Sequence, residues 1–154
     1  MEEVDVRGFE RVLKNTNRIG LDTPVLIYHF EDISPYTELT TRILGSVAAG
    51  TKLILSVISI AEILAGPWRE GQADRARVIE EGVQALPGLM VRDVTRKTAV
   101  SAAQLRGITS LPLPDTLIIA SLLEGDAQII VTNDAKWKAA KLPCRAILLD
   151  GYLT

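Results

Sequence analysis

Short apolar runs alternate with longer amphipathic segments along this chain. The runs Arg18–Asp22, Leu53–Val57, Leu89–Asp93, Gln128–Thr132 and Ala146–Leu149 are mostly rich in Ile, Leu and Val and nearly continuous in apolar character. Strands covered on both faces read this way. Between them, Tyr36–Ala48 places Leu39, Ile43, Leu44 and Val47 on one stripe, and Gln72–Leu86 groups Ile79, Val83 and Leu86. Thr95–Arg106 and Thr116–Leu123 carry similar helical patterns, and Val6, Phe9 and Leu13 predict a short amphipathic helix near the start. Gly50, Pro87-Gly88 and Leu111-Pro112-Leu113-Pro114 punctuate the pattern. Strands alternating with helices predict an α/β domain with a mainly parallel sheet.

Composition narrows the function. The 154 residues suit one ordinary domain, and 47% hydrophobic with 23% charged residues describes a globular chain. With 17 Lys and Arg against 19 Asp and Glu, the formal charge is −2. Nucleic-acid binding by bulk positive charge is excluded, whereas a nucleic-acid enzyme with local basic patches is not. One cysteine, Cys144, and one histidine, His29, allow neither an internal disulfide nor a Cys/His zinc cluster. The single cysteine fits a reducing compartment, and the opening Met1-Glu2-Glu3-Val4-Asp5 is unlike a signal peptide, so the expected location is cytoplasmic. The most apolar stretch, Leu53–Gly66, contains Glu62 and is too short to span a bilayer.

In an open α/β sheet, ligands bind beyond the carboxyl ends of the strands. Asp22 ends the first predicted strand, Glu62 follows the second, and Asp134 follows the fourth. Asp115 starts a helix that feeds back into the sheet. Each acid also has a purely structural reading. Asp22 and Asp115 suit helix caps, Ser59-Ile60-Ala61-Glu62 matches a capping box, and Asp134 suits a turn. Taken together they predict a shared acidic site. Two unit charges about 4 Å apart repel by roughly 4 kcal/mol at an effective dielectric of about 20, so such a cluster protonates or recruits a cation. Carboxylates without His or Cys suit Mg²⁺ or Mn²⁺, which activate water and stabilise a phosphodiester in transfer.

Other acidic-site folds fit less well. A dehalogenase-type phosphatase needs Asp-x-Asp, and Pro24 stands at the second position. A response-regulator receiver needs acids ahead of the first strand, and Asn15–Gly20 has none. Gly45–Lys52 nearly matches a phosphate loop, but its end reads Thr-Lys and it precedes a strand. His29 reads as a packed or surface residue, Cys144 as a small core residue, and Asp93 and Asp150 as turn or cap residues.

At the four acids the sequence resembles the PIN-domain nucleases, and within them the VapC-type toxins. The matching segments are Leu21–Ile27, Ser59–Pro67, Pro114–Ala120 and Val131–Asp134, in the family's order and spacing. The resemblance covers about residues 18–150. It implies a three-layer α/β/α fold with strand order 3-2-1-4-5. It also implies a Mg²⁺- or Mn²⁺-dependent endoribonuclease acting on RNA as a homodimer, whose acidic pocket a cognate antitoxin blocks. A PIN-like domain without activity, serving as a scaffold, is the alternative. The resemblance makes Asp22, Glu62, Asp115 and Asp134 the catalytic acids. Asp22 and Asp115 are then direct metal ligands, Asp134 joins the metal set more often through water, and Glu62 acts through water or orients the nucleophile. Thr132 and Thr23 support them.

The chain departs from the family pattern at Pro24, where Asn is usual, and at Pro114, where a small residue is common. Residues 1–17 form an extension ahead of the nuclease domain, which is expected over 18–154. For RNA contact the candidates are Lys136, Lys138 and Arg69, with Lys141 nearby and Trp137 either stacking a base or packing inward. The stripe on Tyr36–Ala48 is a candidate dimer surface.

Overall fold

The computed structural model describes residues 2–154. In chain order the elements are α1 (Val6–Lys14), β1 (Arg18–Leu21), α2 (Thr23–Phe30), α3 (Tyr36–Gly45), β2 (Lys52–Ser56), α4 (Val57–Arg69), α5 (Ala73–Ala85), β3 (Leu89–Arg92), α6 (Arg96–Thr109), α7 (Leu113–Glu124), β4 (Ile129–Thr132), α8 (Ala135–Ala139) and β5 (Arg145–Leu148). The five strands form one sheet in the order β3-β2-β1-β4-β5, with every neighbouring pair parallel. This is the expected topology, and each predicted strand lies within about one residue of its observed ends.

Side-chain alternation along the strands sorts the core into two layers. Ile19, Leu21, Leu53, Leu55, Ile129 and Val131 pack in one cluster with Phe9, Leu26, Leu39, Ile43 and Ile79. Ile54 and Ile130 pack in the other with Leu105, Ile118, Ile119, Leu122 and Trp137. Helices therefore cover both faces, which is why the strands read as continuous apolar runs. Gly20, in the central strand, lets α7 come close: a Cβ there would lie 3.1 Å from Leu122 and Ala127.

The extension is tied down at both ends. Asp5 caps α1 by accepting from the Gly8 amide at 2.9 Å, and Val4 bridges to Leu153. Phe9 and Leu13 are buried in the first core layer, with the Phe9 ring 4.9 Å from that of Tyr152. The stripe on α3 needs correction as a dimer surface. Leu39 and Ile43 are fully buried in the chain's own core, because α3 packs inward against α1 and α2. The near-match to a phosphate loop is the end of α3, a 3₁₀ turn over Ser46–Ala49, and Gly50 at φ 98°.

From β1 the chain builds outward to β2 and β3, then returns to place β4 on the other side of β1. The crevice between the carboxyl ends of β1 and β4 is thus the topological switch point, where such sheets bind ligands.

Candidate functional site

Asp22 leaves β1 and becomes the N-cap of α2, where its Oδ1 accepts from the Thr23 amide at 2.7 Å. Pro24 follows in the first helical turn, where a missing N–H costs nothing. Asp22 Oδ2 accepts from the Thr132 hydroxyl at 2.7 Å. The residue is buried, at 6% exposure, and desolvation pushes its pKa up to about 7. The bonds from Thr132 and Thr23 oppose that rise, and the charges of Asp115 and Glu62 add to it.

Glu62 projects from α4. The expected capping box at Ser59 is not present. The helix starts at Val57, capped by Ser56, whose Oγ accepts from the Ile58 amide at 3.2 Å, so Ser59 lies inside it. Freed from a capping role, Glu62 Oε1 accepts from the Thr23 hydroxyl at 2.6 Å. Thr23 Oγ1 also lies 2.9 Å from Ser59 Oγ. A threonine has one hydroxyl proton and a carboxylate only accepts, so Thr23 gives its proton to Glu62 and receives one from Ser59.

Asp115 lies in the first turn of α7, which begins at Leu113 rather than Thr116 because the Pro-rich loop forms the turn itself. Pro112 occupies the cap position, so the cap reading of Asp115 does not hold. A carboxylate in the first turn is favoured by the helix dipole. Its Oδ2 accepts from the Trp137 indole at 3.2 Å. Trp137 is 1% exposed in the second core layer, so it packs inward and is not available to stack a base.

Asp134 is the N-cap of α8, with Oδ1 accepting from the Lys136 amide at 2.9 Å. The Asp134 amide donates to Thr132 Oγ1 at 3.1 Å, so one hydroxyl ties Asp22 to Asp134. Asn133 between them is held on both sides. Its Nδ2 donates to Tyr28 Oη at 3.2 Å and its Oδ1 accepts from the Asp150 amide at 2.9 Å. Tyr28 stacks on Tyr36, with centroids 4.3 Å apart, and the Tyr36 hydroxyl donates to Asp150 at 2.6 Å. Asp150 is thus more than a turn residue. The bond to it raises the Tyr36 pKa. No local pattern announces these tyrosines as neighbours of the site.

Asp22, Glu62, Asp115 and Asp134 all line one open cleft of about 530 Å³, together with Thr23, Pro24, Tyr28 and Asn133. Two larger hollows lie elsewhere on the surface and contain none of the four. Among the described residues, no three His, Cys, Asp or Glu side chains are gathered tightly enough to hold an ion alone. The donor set still fits Mg²⁺ or Mn²⁺. Every donor is a hard oxygen, and Mg²⁺ uses one or two carboxylates and keeps several waters. Burial is the main reason that the Asp22 pKa is raised, and a bound cation would offset that cost of holding its charge.

The cations sit differently. Lys136 and Lys138 are exposed on α8, either side of the inward Trp137 and next to the cleft residue Ala135. Arg69, expected at the mouth, is the last residue of α4 and does not line the cleft, being two helical turns beyond Glu62. His29 stands half-buried in the last turn of α2, edge-on to Phe30 and outside the cleft.

The PIN domain family model matches residues 19–142. The chain belongs to the PIN domain family. Its PIN domain superposes on VapBC2 from Rickettsia felis, solved bound to a promoter DNA fragment, with a TM-score of 0.68 and 18% identity over 85% of this chain and 98% of that one. DNA-bound VapBC from Salmonella typhimurium gives 0.66 and 18%, covering 86% and 98% of the two chains. FitAcB from Neisseria gonorrhoeae gives 0.62 and 19%, covering 85% and 97%. At these identities the likeness shows a shared fold. No curated protein matches the sequence significantly.

Proposed function

We propose that this PIN domain is a metal-dependent endoribonuclease and the toxin of a toxin–antitoxin pair. The observation that carries the reading is the convergence of four acids on one cleft at the switch point of the sheet. When bound in the cleft, Mg²⁺ or Mn²⁺ would supply positive charge for the scissile phosphodiester and for water activation. The chain's residues hold and aim the reactants. Asp22 and Asp115 would hold the ion directly, and Asp134 would join the set through water. Glu62, fixed at Oε1 by Thr23, orients the attacking water with its second oxygen. Thr132 keeps Asp22 turned toward the cleft. Lys136 and Lys138 meet the flanking phosphates, and Arg69 meets RNA farther out.

One solved neighbour is a toxin–antitoxin complex from Klebsiella pneumoniae, which supports a cognate antitoxin as partner, and the acidic cleft is the surface that this reading has it cover. The same reading includes a homodimer, formed through surface other than the buried Leu39 and Ile43. It also includes action in the cytoplasm, a nuclease domain over 18–154, and the 1–17 segment as its docked extension. No helix among the described residues is long and apolar enough to cross a membrane.

The test is cleavage of a panel of structured RNAs by purified protein with Mn²⁺, with EDTA, and with Asp115→Asn. Cleavage that needs both metal and Asp115, in a variant that keeps its fold, is expected. Cleavage by Asp115→Asn overturns the site. Absence of both cleavage and metal binding favours a PIN-like interaction module instead.

A further inference from the structure

Three of the four acids are steadied by residues close to them in the chain or by the threonines at the strand ends. Asp22 is held by Thr23 and Thr132, Glu62 by Thr23, and Asp134 by the Lys136 amide. Asp115 is different. Among the described residues its side chain accepts one hydrogen bond, from the indole of Trp137, 22 positions away on another helix. An indole has a single donor and no acceptor, so this contact has one direction. The ring is 1% exposed and packed among apolar side chains, which prevents it from swinging away. The bond spans the cleft wall from α8 to α7 and engages Oδ2 only.

We propose that Trp137 is a positioning residue for Asp115, its indole N–H holding Oδ2 so that Oδ1 is the oxygen offered to a divalent cation. The inference rests on the reading of the cleft as a cation site. If Trp137 served packing alone, removing its N–H while keeping its shape would leave ion binding unchanged. If it positions Asp115, the free carboxylate turns among rotamers, and ion binding bears the cost of ordering it.

The direct test replaces Trp137 with 3-benzothienylalanine, which keeps the bicyclic shape and puts sulfur where the N–H was. Mn²⁺ affinity is measured by calorimetry, with Trp137→Phe as the encoded counterpart. The dissociation constant is expected to rise by about 10-fold or more, as for other residues that orient metal ligands. A second readout needs no variant. In ¹⁵N-labelled wild-type protein, Mg²⁺ should shift the indole resonance of Trp137 and leave that of Trp68, which is 56% exposed and outside the cleft, in place. Wild-type protein that binds Mn²⁺ and an isostere that binds it equally overturn the positioning role alone, whether or not the Trp137 resonance moves. Wild-type protein that binds neither ion overturns the cation site, and the inference with it.

Discussion

The Thr132 hydroxyl donates to Asp22 Oδ2 at 2.7 Å, joining residues 110 positions apart at the ends of two adjacent parallel strands. The bond exists because β4 pairs directly with β1, so the residues leaving both strands meet in the crevice between them. The same oxygen of Thr132 accepts from the Asp134 amide. One buried hydroxyl therefore sets the spacing of two acids.

Thr132→Val keeps the shape of the side chain and removes this donor. Loss of about 1–3 kcal/mol of stability is expected, the usual cost of stranding a buried polar group. The loss should be larger at pH 9 than at pH 5, because the missing bond favours the ionised form of Asp22. Urea unfolding at both pH values checks this. Equal losses would show that the bond does not serve the carboxylate.

Asp22 has its own signature. Its pKa rises from 3.8 to about 7 on folding, so between those values the folded chain holds a proton that the unfolded chain has released. Its contribution to stability is complete below about pH 4 and is lost as pH rises through about 7, on the order of 4 kcal/mol in all. Asp22→Asn should flatten the stability profile over that window and be the more stable protein at pH 8. A wild-type profile no steeper than that of the variant would contradict the burial argument.

A cation in the cleft should replace that proton. Mn²⁺ at about 100 times its dissociation constant is expected to add roughly 2.7 kcal/mol, a rise in Tm of about 5–11 °C for a domain of this size. The rise should be greater at pH 8 than at pH 6, and absent in Asp115→Asn. Thermal melts with MnCl₂ and with EDTA give the comparison.

Leu39 tests the correction to the α3 stripe. Leu39→Ala should cost about 2–5 kcal/mol, as for any leucine removed from a packed core. The mass by sedimentation should match that of wild type while the variant stays folded. A change of mass without loss of stability would restore α3 as a subunit contact.

Much of the fold was legible before any coordinates. The strands were, because residues buried on both faces leave no polar alternation to confuse them. Asp22, Glu62 and Asp134 stood out because they follow predicted strands, and Asp115 because it stands at the start of a helix. The capping box was misread for a local reason. Ser59 and Glu62 have the right spacing, but the helix is already capped at Ser56 and starts at Val57. An amphipathic stripe reports that a face is buried and not what buries it, so Leu39 and Ile43 suited a partner chain as well as their own core.

By itself the sequence determined the α/β class, the strand positions and the acids at the ends of the runs. These follow from periodicity and residue chemistry, which are carried by neighbours in the chain. Only the tertiary structure decided that Thr23 serves Glu62, that Thr132 serves Asp22, and that the inward Trp137 serves Asp115. Those partners lie 39, 110 and 22 positions apart. What brings them together is the strand order and the packing of α4, α7 and α8 around it, since a hydrogen bond depends on distance in space and no local pattern records that distance.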